Sequence, residues 1–237
     1  MTNFTTLDFL SRVLLTHWAW CLSGALAGLW LAPLAKLVPR KVLRRAQANL
    51  HEWQGPGGGA EQPVALPRRI WVPLLNAVLW ASAASHQSFW GALLWAVLAS
   101  ALLSLALMDW DCTLLPDWIV LPLGLVGLCG SSAGLTTQNL PFSAASAAML
   151  LGLFGGLAWL FKRLRGVSGI GGGDLKLLAA LATWWGVINV LYIICLACMI
   201  TVVWYVLWRL FKGLAPQAEW PFGPAIVIAS LAWSLPW

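Results

Sequence analysis

The chain has 237 residues, 60% of them hydrophobic and 9% charged, with a net charge of +6 and a mean hydropathy of +0.80. Soluble domains carry roughly a quarter charged residues, so this composition excludes an ordinary soluble globular domain. The positive balance does not point to nucleic acid, because the Lys and Arg residues cluster at loop ends, as topology signals do.

Apolar runs of about 17–25 residues recur along the chain, the length a helix needs to cross the hydrocarbon core. A spanning β-barrel would show short alternating segments instead. A long run in lipid must satisfy its backbone internally, as a helix does. The expected fold is an all-α polytopic membrane protein with about eight transmembrane helices. In chain order the candidate spans are 9–37, 70–85, 88–108, 117–134, 142–162, 174–186, 187–210 and 222–236; the second, sixth and eighth are short. The first run is long and continues past Gly28, with no cleavable signal pattern. After it comes the longest polar stretch, Val38 to Arg69. This holds a basic run (Arg40, Lys41, Arg44, Arg45) and a Gly/Pro-rich piece, Gly55-Pro56-Gly57-Gly58-Gly59. It reads as a flexible loop with one short basic helix on the membrane surface. The eighteen Trp residues fit as interface anchors and lipid-facing bulk.

The distribution of Lys and Arg sets the topology. With the Val38–Arg69 loop in the cytoplasm, Arg68, Arg69, Lys162, Arg163, Arg165, Arg209 and Lys212 also lie inside, and Arg12 alone lies outside. The end of the third span and the start of the sixth then share the cytoplasmic side. The five cysteines, Cys21, Cys112, Cys129, Cys195 and Cys198, fall mostly within apolar runs. Cys195 and Cys198 read as packing residues, since reactive thiols need a polar setting. Neither a disulfide framework nor a zinc site is readable.

Two acidic patches lie at the ends of apolar segments. One is Met108-Asp109-Trp110-Asp111-Cys112-Thr113-Leu114-Leu115-Pro116-Asp117, the other Gly169-Ile170-Gly171-Gly172-Gly173-Asp174-Leu175-Lys176. Together they hold four of the eight acidic residues. Carboxylates in this setting are expensive unless they serve a purpose. Asp109 and Asp174 form the candidate pair: in aspartic hydrolysis two carboxyls share a proton, one taking a proton from water while the other polarises the carbonyl. Gly171 and Gly173 would let backbone approach closely at the site. Asp117 reads as an N-cap or first-turn residue, Asp111 as local polarity or part of a substrate groove, and Lys176 as a carboxylate partner or a snorkelling side chain. No nucleophile constellation competes: Ser168 has no histidine near it, and His17, His51 and His86 read as incidental.

These motifs resemble the type IV prepilin peptidases, membrane aspartic proteases of the GxGD kind. The resemblance rests on Asp109 followed by Leu115-Pro116-Asp117, on Gly171-Gly172-Gly173-Asp174-Leu175-Lys176-Leu177, and on Pro221-Phe222-Gly223-Pro224, in order over about the last 130 residues. It implies that Asp109 and Asp174 are the catalytic pair, with Asp111, Asp117, Gly171, Gly173 and Lys176 supporting the site or binding substrate. It further implies a prepilin or pseudopilin substrate with a short basic leader, cleaved at the cytoplasmic face of a bacterial inner membrane, and a type IV pilus or type II secretion setting. On this reading 70–237 is the membrane-embedded aspartic peptidase domain, and 1–69 is a first transmembrane helix with a divergent cytoplasmic loop. Many members carry two Cys-x-x-Cys pairs in that loop. Here it has no Cys, and the family's Asn at the end of the first span is missing. These departures speak against a bound metal and against N-methyltransferase activity. The peptidase needs no cofactor, and S-adenosylmethionine enters only if methyl transfer is retained. The bilayer is the other partner, nucleic acid is not, and the oligomeric state is not readable. Two rivals share these features: a GxGD protease of other specificity cutting within the bilayer, and a catalytically silent assembly component of a pilus or secretion system. A proton-relaying transporter would carry its carboxylates at midspan.

Overall fold

The computed structural model describes residues 18–48, 53–84, 88–166, 171–212 and 220–234. Among them the ordered elements are seven helices: α1 Trp18–Arg45, α2 Leu66–Ala83, α3 Phe89–Cys112, α4 Asp117–Ser132, α5 Leu140–Arg165, α6 Gly172–Lys212 and α7 Gly223–Ser234. Four are long and apolar enough to cross a membrane, namely α1, α3, α5 and the stretch Gly172–Phe211 of α6. The chain is an all-helical, multi-pass membrane protein. The expected count of about eight spans is not matched by these four. Two of the remaining helices are short, α4 with 16 residues and α7 with 12.

Local chemistry accounts for the helix ends. Ser88 and Asn139 cap α3 and α5 through bonds from Gly91 N–H (2.9 Å) and Phe142 N–H (3.2 Å), satisfying donors that a first helical turn leaves free. Gly166 closes α5 in the left-handed region, its N–H on the Lys162 carbonyl at 2.9 Å.

The expected sixth and seventh spans are one element, α6, broken at Gly186. Its φ of 79° and ψ of 164° lie in a region open essentially to glycine alone. The two halves run in opposite directions. Trp184 and Trp185, before the break, pack on Trp95 near the start of α3. Trp204 and Trp208, after it, pack on Trp110 near the end of α3. The carbonyls orphaned where the first half ends find side-chain donors: Ser143 on Thr183 at 2.7 Å, Thr137 on Trp184 at 3.3 Å and Asn189 on Trp185 at 2.8 Å. Without water in the bilayer core such partners are obligatory.

The core interleaves α3, α6 and α7, with Leu98, Leu102, Leu105, Leu177, Leu181, Trp184, Ile193 and Ile226 all buried. The helical spacing within 98–105 and 177–184 puts each set on one face. A second cluster joins α1 and α2 to α3 through Ala32, Ala35, Val72, Leu103 and Met108. A polar chain crosses the same junction, from Trp80 Nε1 to Ser100 Oγ (2.8 Å), Ser100 to Asn76 Oδ1 (2.9 Å) and Asn76 Nδ2 to the Gly24 carbonyl (2.7 Å). Interhelical bonds of this kind hold helices together where lipid removes the hydrophobic drive.

The first polar stretch departs from expectation. Arg40, Lys41, Arg44 and Arg45 belong to the end of α1 itself and not to a separate surface helix. The Gly/Pro-rich piece is seated on α3. Its backbone donors meet carbonyls that the last turn of α3 leaves free, and nothing in composition alone reveals so distant a partner.

Candidate active site

Asp109 sits in the last turn of α3, only 5% exposed. One of its oxygens, Oδ2, accepts a hydrogen bond from the Gly223 N–H at 2.8 Å. Gly223 opens α7 and closes the approach: a Cβ there would stand 2.8 Å from Oδ2 and 3.0 Å from the Asp109 Cβ. The segment that delivers this amide is anchored by Trp220, whose ring packs against Trp110, Trp204, Tyr205 and Trp208 with centroids 5.7 to 6.3 Å apart.

Asp174 occupies the first turn of α6, where the helix dipole and free amide groups favour a carboxylate. The fold brings it close enough to Asp109 for the charge on one to act on the other. One carboxyl is buried and held by a backbone amide; the other is half-buried at a helix start. Such a pair can share a proton and divide acid and base roles on an attacking water.

The other expected residues have separate places. Asp111 is fully buried and is not part of this pair. It binds Arg68 Nη1 through both oxygens, at 2.8 and 2.7 Å, and Lys36 Nζ at 3.2 Å. Its polarity is that of a buried ion pair. Asp117 is the first residue of α4 behind Pro116, and makes no capping bond. Its two oxygens instead receive Lys176 Nζ at 2.8 and 2.7 Å. This bridge is open to solvent, 42% exposed on the lysine side and 54% on the aspartate. Gly173 lies against Leu115, where a Cβ would come within 2.9 Å of the leucine Cβ, and Gly171 lies beside Asp174 Oδ2. Ser168, His17, His51 and His86 lie outside the described residues. Among the described residues no cluster of His, Cys, Asp and Glu could hold a metal ion.

Sequence reasoning missed three contributors. Gly223 lies in the Pro221–Pro224 motif, which carries no local sign of its contact with Asp109. Arg68 has the signature of a topology charge and Lys36 falls within the first span; an ammonium so placed in an apolar run is the available signal. A cavity of about 450 Å³, lined by Trp95, Gln138, Trp185 and Asn189 among others, is not this site. Trp95 stands fourteen residues before Asp109 on α3, roughly 20 Å along the helix.

The comparisons with known proteins converge. Residues 96–206 match the family model described as the Type IV leader peptidase family. The prepilin leader peptidase/N-methyltransferase of Xanthomonas campestris pv. campestris is 36% identical over 163 residues, 67% of this chain and 55% of that protein. The proteins of the same name from Pseudomonas aeruginosa and Neisseria gonorrhoeae are 35% and 32% identical over 164 and 161 residues. Each alignment covers 67% of this chain and 54% of the relative. The chain thus spans about half the length of the curated relatives it matches. No solved structure matches it. The matched segment runs from α3 through the second half of α6 and contains both Asp109 and Asp174, and through it the chain belongs to the type IV leader peptidase family.

Proposed function

We propose that this protein is an aspartic endopeptidase that removes the short basic leader of prepilin-like proteins at the cytoplasmic face of a bacterial inner membrane. The observation that carries the reading is the buried Asp109 carboxylate held by the Gly223 amide, with the Asp174 charge near enough to bear on it. Water attacks the scissile carbonyl directly, with the two aspartates sharing the acid and base roles. The substrate's apolar helix stays in lipid while its leader meets the carboxylates at the membrane edge. The basic residues at the end of α1, Arg40, Lys41, Arg44 and Arg45, favour anionic lipid, since they would repel a basic leader, and the same charges argue for a cytoplasmic orientation.

The peptidase reading requires no cofactor. The curated relatives are also named N-methyltransferases, a reaction that would draw on S-adenosylmethionine. The Gly-rich loop is a poor cradle for it, because the N–H groups of Gly55, Gly57 and Gly59 are already bonded to α3 carbonyls.

The test is cleavage of a prepilin in membranes carrying the wild type, Asp109→Asn or Asp174→Asn. Each substitution keeps the side-chain shape and removes the ionisable group. Leader removal by the wild type alone, with normal insertion of all three, is the expected result. Cleavage by either variant would show the pair to be wrong. A wild type silent on several matched pilins would favour the assembly-component reading.

A further inference from the structure

The residues before the matched segment converge on the helix end that carries Asp109. An α-helix leaves its last four carbonyls without intrahelical donors. Here Gly55 N–H and Gly59 N–H donate to the Asp111 carbonyl at 2.7 and 3.0 Å, and Gly57 N–H donates to the Trp110 carbonyl at 3.0 Å. A strap from fifty residues upstream therefore caps the end of α3. It leaves no room for side chains: a Cβ on Gly57 would collide with Asp111 Oδ1 and stand 2.8 Å from Trp110 Cδ1.

The strap is locked by charge. Lys36 of α1 directs its ammonium to the Gly59 carbonyl (2.6 Å), the Gly57 carbonyl (3.2 Å) and Asp111 Oδ2 (3.2 Å). Those three contacts match the three donors an ammonium has. Arg68 of α2 closes on the same carboxylate and reaches the Leu107 carbonyl at 3.4 Å. Asp111 is thus compensated by two cations, each nearly buried. Leu107, Trp110 and Asp111 bracket Asp109, so the backbone on both sides of it is tied to α2 or the strap.

We propose that Asp111 is a positioning residue. Through Lys36, Arg68 and the Gly55–Gly59 strap it fixes the last turn of α3 and so the place of Asp109 opposite Asp174. This rests on the peptidase reading. It makes the cysteine-free N-terminal third part of the catalytic unit, held by charge and backbone bonds.

Two variants of the full chain test it, beside the wild type, in detergent. Asp111→Asn keeps the shape and strands two buried cations. Gly57→Ala changes no charge and wedges the strap away. Two quantities are read: hydrogen exchange of the strap amides, and kcat and KM for prepilin cleavage. The expected result is faster exchange at 55–59 in both variants, with kcat lowered about ten- to a hundredfold, the effect of sub-ångström misplacement, and KM within about twofold. A released strap with unchanged kcat overturns the proposal. A rise in KM alone also overturns it, because the strap would then be a wall of the substrate site. If neither variant folds, Asp111 is a folding residue and the positioning role falls. A wild type that cleaves no prepilin removes the peptidase reading instead, while strap exchange still reports whether Asp111 holds the clamp.

Discussion

Gly223→Ala isolates the amide contact on Asp109. Gly223 is not among the glycines with positive φ, so alanine strains no backbone there, and its helix propensity favours α7. The added Cβ, however, would stand 2.8 Å from Asp109 Oδ2 and 2.9 Å from Cγ, where ordinary contact begins at 3.4 Å. An overlap of about 0.6 Å must be relieved by moving the carboxylate or α7, and displacement on this scale costs a catalytic group one to two orders of magnitude in rate. Loss of a hydrogen bond to a charged group gives a similar figure, about 1.5–3 kcal/mol, which is about ten- to a hundredfold in rate. The assay is initial-rate leader cleavage by purified protein across a range of prepilin concentrations. The expected outcome is a kcat lowered in that range with little change in KM, and a thermal stability below that of the wild type by about 1–3 kcal/mol, the usual cost of overpacking. A kcat within twofold of wild type would refute the claim that the Gly223 amide sets the geometry of Asp109.

Other substitutions separate the remaining roles. Lys176→Ala opens an exposed bridge to Asp117, and exposed pairs contribute about 0–1 kcal/mol. Thermal unfolding in detergent should move little, whereas a large drop would show the bridge to be a principal tie between α4 and α6. Gly186→Ala forces a side chain into a backbone region costing about 1–3 kcal/mol; the variant should unfold at lower denaturant, and an unchanged midpoint would mean that the break in α6 relaxes freely.

The helical class and the break between 186 and 187 were legible, and Asp109 and Asp174 stood out as candidates, because each leaves a local signature. Long apolar runs announce helices, scarce acidic residues at their ends announce a site, and Gly186 punctuates an otherwise uninterrupted run. The count of spans was less legible. Crossing the membrane requires length, and α4 and α7 are short apolar helices whose composition resembles that of the long ones. The seat of the Gly-rich strap was not legible, because its partners are backbone carbonyls on α3, and carbonyls carry no sequence identity.

Asp111 shows where helical geometry could have gone further than motif reading. Residues i and i+2 on a helix are about 200° apart, and side chains so placed do not face each other. With Asp109 turned toward Asp174, Asp111 had to point toward another part of the molecule. A carboxylate directed into an apolar bundle requires a cation. Lys36, in the last part of an otherwise apolar stretch, and Arg68, at the start of the next helix, were the charges within reach of the end of α3. The acidic patch therefore divides by geometry into three tasks: Asp109 to the paired site, Asp111 to the buried clamp and Asp117 to the bridge with Lys176. Asp111 and Asp117 are each tied to cations on other helices, whereas Asp109 is held by a backbone amide, which makes Asp109 the candidate for the chemistry.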